Sequence, residues 1–532
     1  MARRRILAAI GLVIAAAVFL PPQFARMRLA ADRYVFNDDA RQWVVPFFGG
    51  ALRDDWTSVY YRAITPSGVR ALYSLFDAEL LSKVLPFVLF AVTCVFVAGT
   101  TFALTRSGTA AAVSVCFLFS TAALMARMTG GASRAFAFPI VAAVAYGLAS
   151  GRAGVIAVAT AAGAAFYPPA GMVAGAALVL ALFVRERGVG SVRRGVAIIA
   201  IAVAVSAVLS APLVWSSRGY GRGIGPAEVT AYPEAGPQGR YLPGDRPPFP
   251  PVLTAAYRAL DWGLKPSGRR LVPAPLQGDA AARAIALALA GLGLLALART
   301  SLGARRLLLL PAASLLMFGL AAVLAPRLYL PTRYVAYALV VLPAIALPAG
   351  AFSLVRAERR WPALAACIAA LLLLGGMGSA SAGFTVNARR EAALYEKLSR
   401  SADVQMVAGW PAGPVENVPY LSHKRALLTY ETHQALHTAA TELQRARMFA
   451  LIDAYFATSP EPLRRLRDSW GVTHLIVDRR HFGGPPPRYF APFEAAIATA
   501  VQGMQGKPPE VSRHAPVFAL GPYAVLDLRR VR

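Results

Sequence analysis

Val84-Leu-Pro-Phe-Val-Leu-Phe-Ala-Val-Thr-Cys-Val-Phe-Val-Ala-Gly-Thr-Thr-Phe-Ala-Leu104 runs for 21 residues without a charge. As a helix it would rise about 30 Å, the thickness of the hydrocarbon core of a bilayer. Working outward, comparable apolar runs recur at Ile6 to Leu20, Ala110 to Ala126, Ala135 to Ala149, Gly154 to Phe166, Ala170 to Val184 and Val196 to Trp215. Ala282 to Ala298, Leu307 to Leu324, Tyr334 to Leu354 and Trp361 to Ala380 continue the series. The reading is an α-helical polytopic membrane protein with about eleven transmembrane helices. Composition agrees: 57% of the 532 residues are apolar and only 15% charged, which excludes an ordinary soluble domain, a disordered chain or a collagen. Cys94, Cys116 and Cys367 all fall inside apolar runs, so no disulfide framework is expected.

The charge balance is +28, from 55 basic and 27 acidic residues. Such a balance suits nucleic acid, anionic head groups or phosphorylated substrates. With most of the chain in lipid, no nucleic-acid partner is expected. Short loops give the orientation, because Lys and Arg mark the cytoplasmic side. With the N-terminus inside, Arg3 to Arg5, Arg106, Arg152, Arg185 to Arg194, Arg299 to Arg306 and Arg356 to Arg360 fall on one face. Ile6 to Leu20 followed by Pro21-Pro22-Gln23 reads as an anchor, without a cleavage site. An odd number of spans puts three segments outside: loops at about 21–83 and 216–281, and everything from 382 to 532. Residues 1–381 are thus the transmembrane domain and 382–532 an extracytoplasmic domain, in a bacterial inner membrane.

The first external loop reads Tyr34-Val-Phe-Asn-Asp38-Asp39-Ala-Arg41-Gln-Trp43, with a second pair at Asp54-Asp55. Adjacent carboxylates raise each other's proton affinity and suit general-base work on an acceptor, or they hold a divalent cation; the bland reading is a solvated turn. Val69, Leu72, Tyr73, Phe76 and Leu80 form a helical stripe that would lie in the interface. Outside arginines Arg127, Arg134, Arg327 and Arg333 stand where the positive-inside bias does not ask for them. Planar donors of this kind suit a phosphate, though any one alone reads as a snorkelling anchor. Gly130-Gly131 offers backbone N–H groups to the same anion. The 216–281 loop, with eleven prolines and ten glycines, reads as a lid or binding loop.

Past residue 381 the period changes. Short apolar stretches at Val404 to Ala408, Ala426 to Tyr430, Val472 to Val477 and Tyr523 to Leu526 alternate with helical ones near Ala439 to Phe456, Pro462 to Trp470 and Pro492 to Gly503. They predict a small α/β domain. His433 and His437 are spaced as a helical metal pair would be, but without Cys or a His-Glu-x-x-His they read as polar surface. No Asp, Glu or Lys lies within the proposed spans, which disfavours an ion-coupled carrier.

This layout, with an acidic pair just after the first span, a loop bearing an interfacial helix and a C-terminal domain outside, resembles the type C (GT-C) fold of integral-membrane glycosyltransferases. Pro331-Thr-Arg333-Tyr334 before a late span and the tail Leu463 to Asp478 are similar to pieces of that family. The resemblance implies a sugar donor linked to polyprenyl phosphate, with Asp38 and Asp39 as the catalytic acidic motif. The candidate substrate-binding residues are the outside arginines Arg127, Arg134, Arg327 and Arg333, with Tyr334, Asp54 and Asp55. A divalent cation, Mg or Mn, would sit on Asp38 and Asp39 if anywhere. The external domain lacks the Trp-Trp-Asp run of oligosaccharyltransferases, Gly409-Trp410-Pro411 having a single Trp, so a monosaccharide donor is favoured over a preassembled glycan. The alternative is a non-enzymatic lipid or polysaccharide flippase.

Overall fold

The computed structural model describes residues 19–182, 189–225, 227–236, 238–240, 291–299, 301–324, 330–354, 363–365, 381–504 and 506–532, with single positions 288, 328 and 367. Among these, five helical segments are long and apolar enough to cross a membrane: Ala78–Thr105, Ser133–Ser150, Val192–Tyr220, Leu302–Leu324 and Arg333–Ser353. Three shorter apolar helices, Gly108–Ser120, Ala153–Phe166 and Pro168–Ala181, pack among them. The protein is a multi-pass membrane protein, but the described residues do not give eleven spans. Two of the apolar runs, 6–20 and 361–380, lie largely outside the described residues, and so does the first part of 282–298.

Others are shortened for local reasons. The run from Ala110 breaks at Thr121, whose backbone is extended, and resumes as the short helix Ala122–Met128. Ala153–Phe166 and Pro168–Ala181 have 14 residues each and rise only about 21 Å. Tyr167 between them is extended and Pro168 opens the second helix. Their close approach is possible because Gly163 and Gly171 face one another with no space for a Cβ on either.

Segment 21–83 is less of a loop than its sequence suggests. Residues 19–31 are helical, and Trp56–Ala63 and Ser67–Leu75 are helices. The expected apolar stripe is divided: Phe76 is extended, and Asp77 accepts from the N–H of Leu80 at 2.8 Å and starts Ala78–Thr105. Leu80 therefore belongs to the membrane helix. Leu75, Phe76 and Leu80 are exposed, as apolar side chains facing lipid would be.

The C-terminal region carries a five-stranded sheet in the order β4-β3-β5-β7-β6. Its strands are β3 Met406–Gly409, β4 Arg425–Ala426, β5 His474–Asp478, β6 Phe518–Leu520 and β7 Tyr523–Asp527. The first three are mutually parallel, and β7 runs antiparallel to β5 and β6. Helices Thr438–Tyr455, Glu461–Trp470 and Phe493–Met504 cover it. Val407, Leu475, Ile476 and Leu526 are buried, as expected of strands covered on both faces.

A two-residue ladder joins the halves: β1, Val35–Phe36, pairs antiparallel with β2, Val386–Asn387. Segment 218–240 reaches the same assembly, with a bridge between Gly223 and His437 and an ion pair from Glu234 to Arg445. The first long loop, the described part of the second and the C-terminal region therefore share one side of the membrane body.

Candidate functional site

Asp38 and Asp39 occupy the turn between β1 and the four-residue helix Ala40–Trp43. The turn is tied to the C-terminal segment on both sides: the Asp38 N–H donates to Thr385 Oγ1 at 2.9 Å, and Asn37 Nδ2 donates to the Gly383 carbonyl at 2.7 Å. Asn37 Oδ1 and Asp38 Oδ1 both accept from the Asp39 N–H, at 3.1 and 3.0 Å. The two carboxylates are thereby held by backbone on the membrane-body face of the C-terminal domain.

Arg134 Nη2 is ion-paired with Asp39 Oδ2. The pair is well shielded, with 20% of the Arg134 and 16% of the Asp39 side chain exposed, so it is screened less than a surface bridge. Arg134 sits on the 3-10 turn Ser133–Phe136, delivered by a reversal at Gly130 (φ +90°) and Gly131 (φ +64°). Both glycines are needed for space as well as φ. A Cβ on Gly130 would lie 2.8 Å from the Asn37 Cβ, and one on Gly131 would lie 3.0 Å from the Ser82 Cα. The Gly131 N–H donates to the Met128 carbonyl at 3.1 Å, so it is spent on the turn and not open to an anion as the sequence suggested.

Arg127, in the last turn of Ala122–Met128, gives its carbonyl to Arg134 Nε at 3.3 Å. Its guanidinium lies over the Tyr337 ring, 6.0 Å from the centroid, and feels the charges of Arg134 and Arg333. Arg333 opens the helix Arg333–Leu354 and hydrogen-bonds Tyr167, whose hydroxyl is 3.1 Å from that of Tyr337. Of the three arginines Arg134 meets the acidic pair, and Arg127 stands within electrostatic reach of both Arg134 and Arg333. Tyr334 is buried, its hydroxyl donating to the Leu328 carbonyl at 3.2 Å. Arg327 lies outside the described residues.

Asp54 is exposed. Asp55 is buried and caps Trp56–Ala63, its Oδ2 accepting from the N–H groups of Thr57 at 3.1 Å and Ser58 at 3.4 Å. Burial pushes its pKa up, against the pull of Arg447. Asp55 also lines a cavity of about 390 Å³, open solvent included, with Arg41, Tyr61, Glu416, Thr429 and Thr432.

Sequence reasoning missed the groups that the C-terminal domain adds. Arg41 pairs with Glu416 at 2.9 Å, donates to Asn417 Oδ1 at 3.1 Å and, through Nε, to the Asp38 carbonyl at 3.2 Å. Burial lifts Glu416 to about 7 despite Arg41. Glu431 is also raised, by burial first, and it feels Asp39 and Asp38. Arg240 faces Glu431 at 3.6 Å and stacks 3.8 Å above the Tyr430 ring. No spacing in the chain links position 38 to 416 or 431. Only Arg41, three residues past the pair, was available as a signal.

The two histidines do not form a helical metal pair. His433 precedes the helix, is buried rather than at the surface, and bonds Tyr489 Oη at 3.1 Å; burial lowers it to about 3. His437 stands just before Thr438–Tyr455 and bonds Tyr60 Oη at 3.1 Å.

The acidic pair does not fit a metal as built. Asp39 Oδ2 is taken by Arg134, and among the described residues the pair joins no compact set of three donors. The group that does, Asp403, His474 and Asp527 with ligand atoms within 4.8 Å, belongs to the sheet domain and is already spanned by Arg529, 2.7 Å from Asp403 Oδ2 and 2.8 Å from Asp527 Oδ1.

Comparison of the whole chain with solved structures finds the oligosaccharyltransferase of Archaeoglobus fulgidus. In its crystal structure with Zn and sulfate the match covers 92% of this chain and 70% of that one, at TM-score 0.51 and 12% identity. Its apo form matches over 88% and 70%, at TM-score 0.51 and 11% identity. The chain has the type C glycosyltransferase fold. No protein-family profile and no curated protein matches the sequence. At this identity the likeness concerns the GT-C fold alone, and it is found without a Trp-Trp-Asp run in this chain.

Proposed function

We propose that this GT-C protein is a membrane glycosyltransferase that moves one sugar from a polyprenyl-phosphate-linked donor to an extracytoplasmic acceptor, a cell-envelope glycan, lipid or protein. The observation that carries the reading is the ion pair of Asp39 with Arg134, next to Asp38, where Arg127 gives its carbonyl to Arg134 and stands within electrostatic reach of Arg333. Carboxylates that accept a proton and guanidiniums that hold a phosphate are the two parts such a transfer needs. Asp38 is the base: Asp39 is engaged by Arg134, whereas no cation is paired with the Asp38 carboxylate among the described residues. It takes the acceptor hydroxyl or amide proton as the acceptor forms its bond to the anomeric carbon. The bond from that carbon to the phosphate oxygen breaks, and the lipid phosphate leaves with the electron pair, its charge met by Arg127 and Arg333.

The N-terminus is placed inside and the catalytic face outside the inner membrane of a bacterium, in keeping with the short-loop arginines. Purified protein given donor lipid and cell-envelope acceptor tests the reading. Asp38→Asn is expected to slow transfer by about 100- to 10,000-fold, the range for losing a general base, with donor binding retained. Transfer at the wild-type rate would refute the role of Asp38.

A further inference from the structure

Two adjacent aspartates invite a divalent cation, yet this chain already supplies a counter-ion. Arg134 Nη2 lies on Asp39 Oδ2, and the guanidinium is fixed, Nε by the Arg127 carbonyl at 3.3 Å and Nη2 by Asn37 Oδ1 at 3.4 Å. A metal entering at Asp39 would therefore meet the positive charge of Arg134 on the oxygen it needs. Glu431, the further carboxylate within electrostatic reach of the pair, is turned to Arg240. The sheet domain repeats the arrangement, with Arg529 between Asp403 and Asp527.

We propose that Arg134 is the fixed cation of the acidic pair, so that Asp38 and Asp39 work without a divalent metal. The guanidinium orients Asp39 and keeps the pair from repelling an incoming lipid phosphate, to which a guanidinium can also donate. Arg134 is on this account a positioning residue for Asp39 as well as a phosphate ligand. The inference rests on the transferase reading for its purpose, but its first test does not.

That test is Mn²⁺ binding to the full-length detergent-purified protein, read by the loss of the free-ion EPR signal. Wild type and the Asp38→Asn/Asp39→Asn variant are expected to bind the same amount. Arg134→Ala is expected to gain about one equivalent, because two adjacent carboxylates then lack a counter-charge, and to lose it again when both aspartates are changed. Wild type holding an equivalent that the double variant loses would overturn the proposal, as would no gain in Arg134→Ala. If the double variant fails to fold, Arg134→Ala against wild type decides alone. In the transfer assay, full activity in a chelator is expected, and a fall of about tenfold or more reversed by Mg²⁺ would overturn it. No transfer in either condition counts against the transferase reading, and the Mn²⁺ titration then decides on Arg134.

Discussion

Asp38-Asp39 and Asp54-Asp55 are the same dipeptide, on the same segment ahead of the helix Ala78–Thr105, and the fold treats them in opposite ways. In the first pair the backbone is held by Asn37 and Thr385, leaving one carboxylate for Arg134 and the other with no paired cation among the described residues. In the second, Asp54 points to solvent and Asp55 turns its carboxylate onto its own helix, bonding Thr57 and Ser58. A carboxylate used as an N-cap is occupied by backbone N–H groups. In the first pair one oxygen alone, Asp38 Oδ1, takes a backbone N–H, that of Asp39 at 3.0 Å, and the others are left for other partners. The difference between the pairs is therefore one of which atoms the surroundings engage.

The largest expected effect separates the pairs directly. Asp38→Asn should lower the transfer rate by about 100- to 10,000-fold, while Asp54→Asn changes it by less than about twofold, since surface changes rarely exceed 0.5 kcal/mol; initial rates with purified lipid donor decide. Equal losses would erase the distinction.

Glu416 sharpens the comparison, since its partner Arg41 also binds the Asp38 carbonyl and both line the cavity that Asp55 reaches. Its folded pKa of about 7 stands above the ordinary 4.5. The folded protein thus binds this proton more tightly than the unfolded chain. The stability it contributes is full below about pH 4.5 and lost as the pH rises through 7. Denaturant titrations at pH 5 and pH 8 should show a fall of about 2 to 3 kcal/mol from this group, removed in Glu416→Gln. An unchanged slope in the variant would reject the assignment.

Arg333→Gln is expected to raise the donor KM about tenfold, the cost of one charge-assisted hydrogen bond, with folding intact by gel filtration. An unchanged KM would return Arg333 to an anchoring role. The smallest effect falls on the second pair: Asp55→Ala should cost about 1 kcal/mol of stability through the lost cap, read in the same denaturant titrations, with donor KM unaltered. A change in KM without a change in stability would move Asp55 into the site.

Much of the fold was legible because lipid and sheet impose simple periods. Val84 to Leu104 had to be a helix in the bilayer, where an unpaired backbone group is costly, and it lies inside Ala78–Thr105. Val472 to Val477 gave β5 almost to the residue, Gly471 closing the preceding helix at φ +69°. The short strand β6 and the helix Ala392–Arg400 escaped notice, since neither has an apolar run long enough to stand out. The expected stripe from Val69 to Leu80 was read as one helix because its period continues across Phe76, where Asp77 restarts the chain.

Sequence by itself determined that this is a membrane protein with an α/β C-terminal region, because burial in lipid and in a sheet is written in local apolar period. It also singled out an acidic pair and loop arginines, because such residues are out of place where they stand. Only the tertiary structure decided which aspartate pair meets Arg134, and that Arg41, Glu416, Glu431 and Arg240 close around it. Those contacts join residues about 100 to nearly 400 positions apart, and ion pairing depends on distance in space, of which sequence spacing carries no trace.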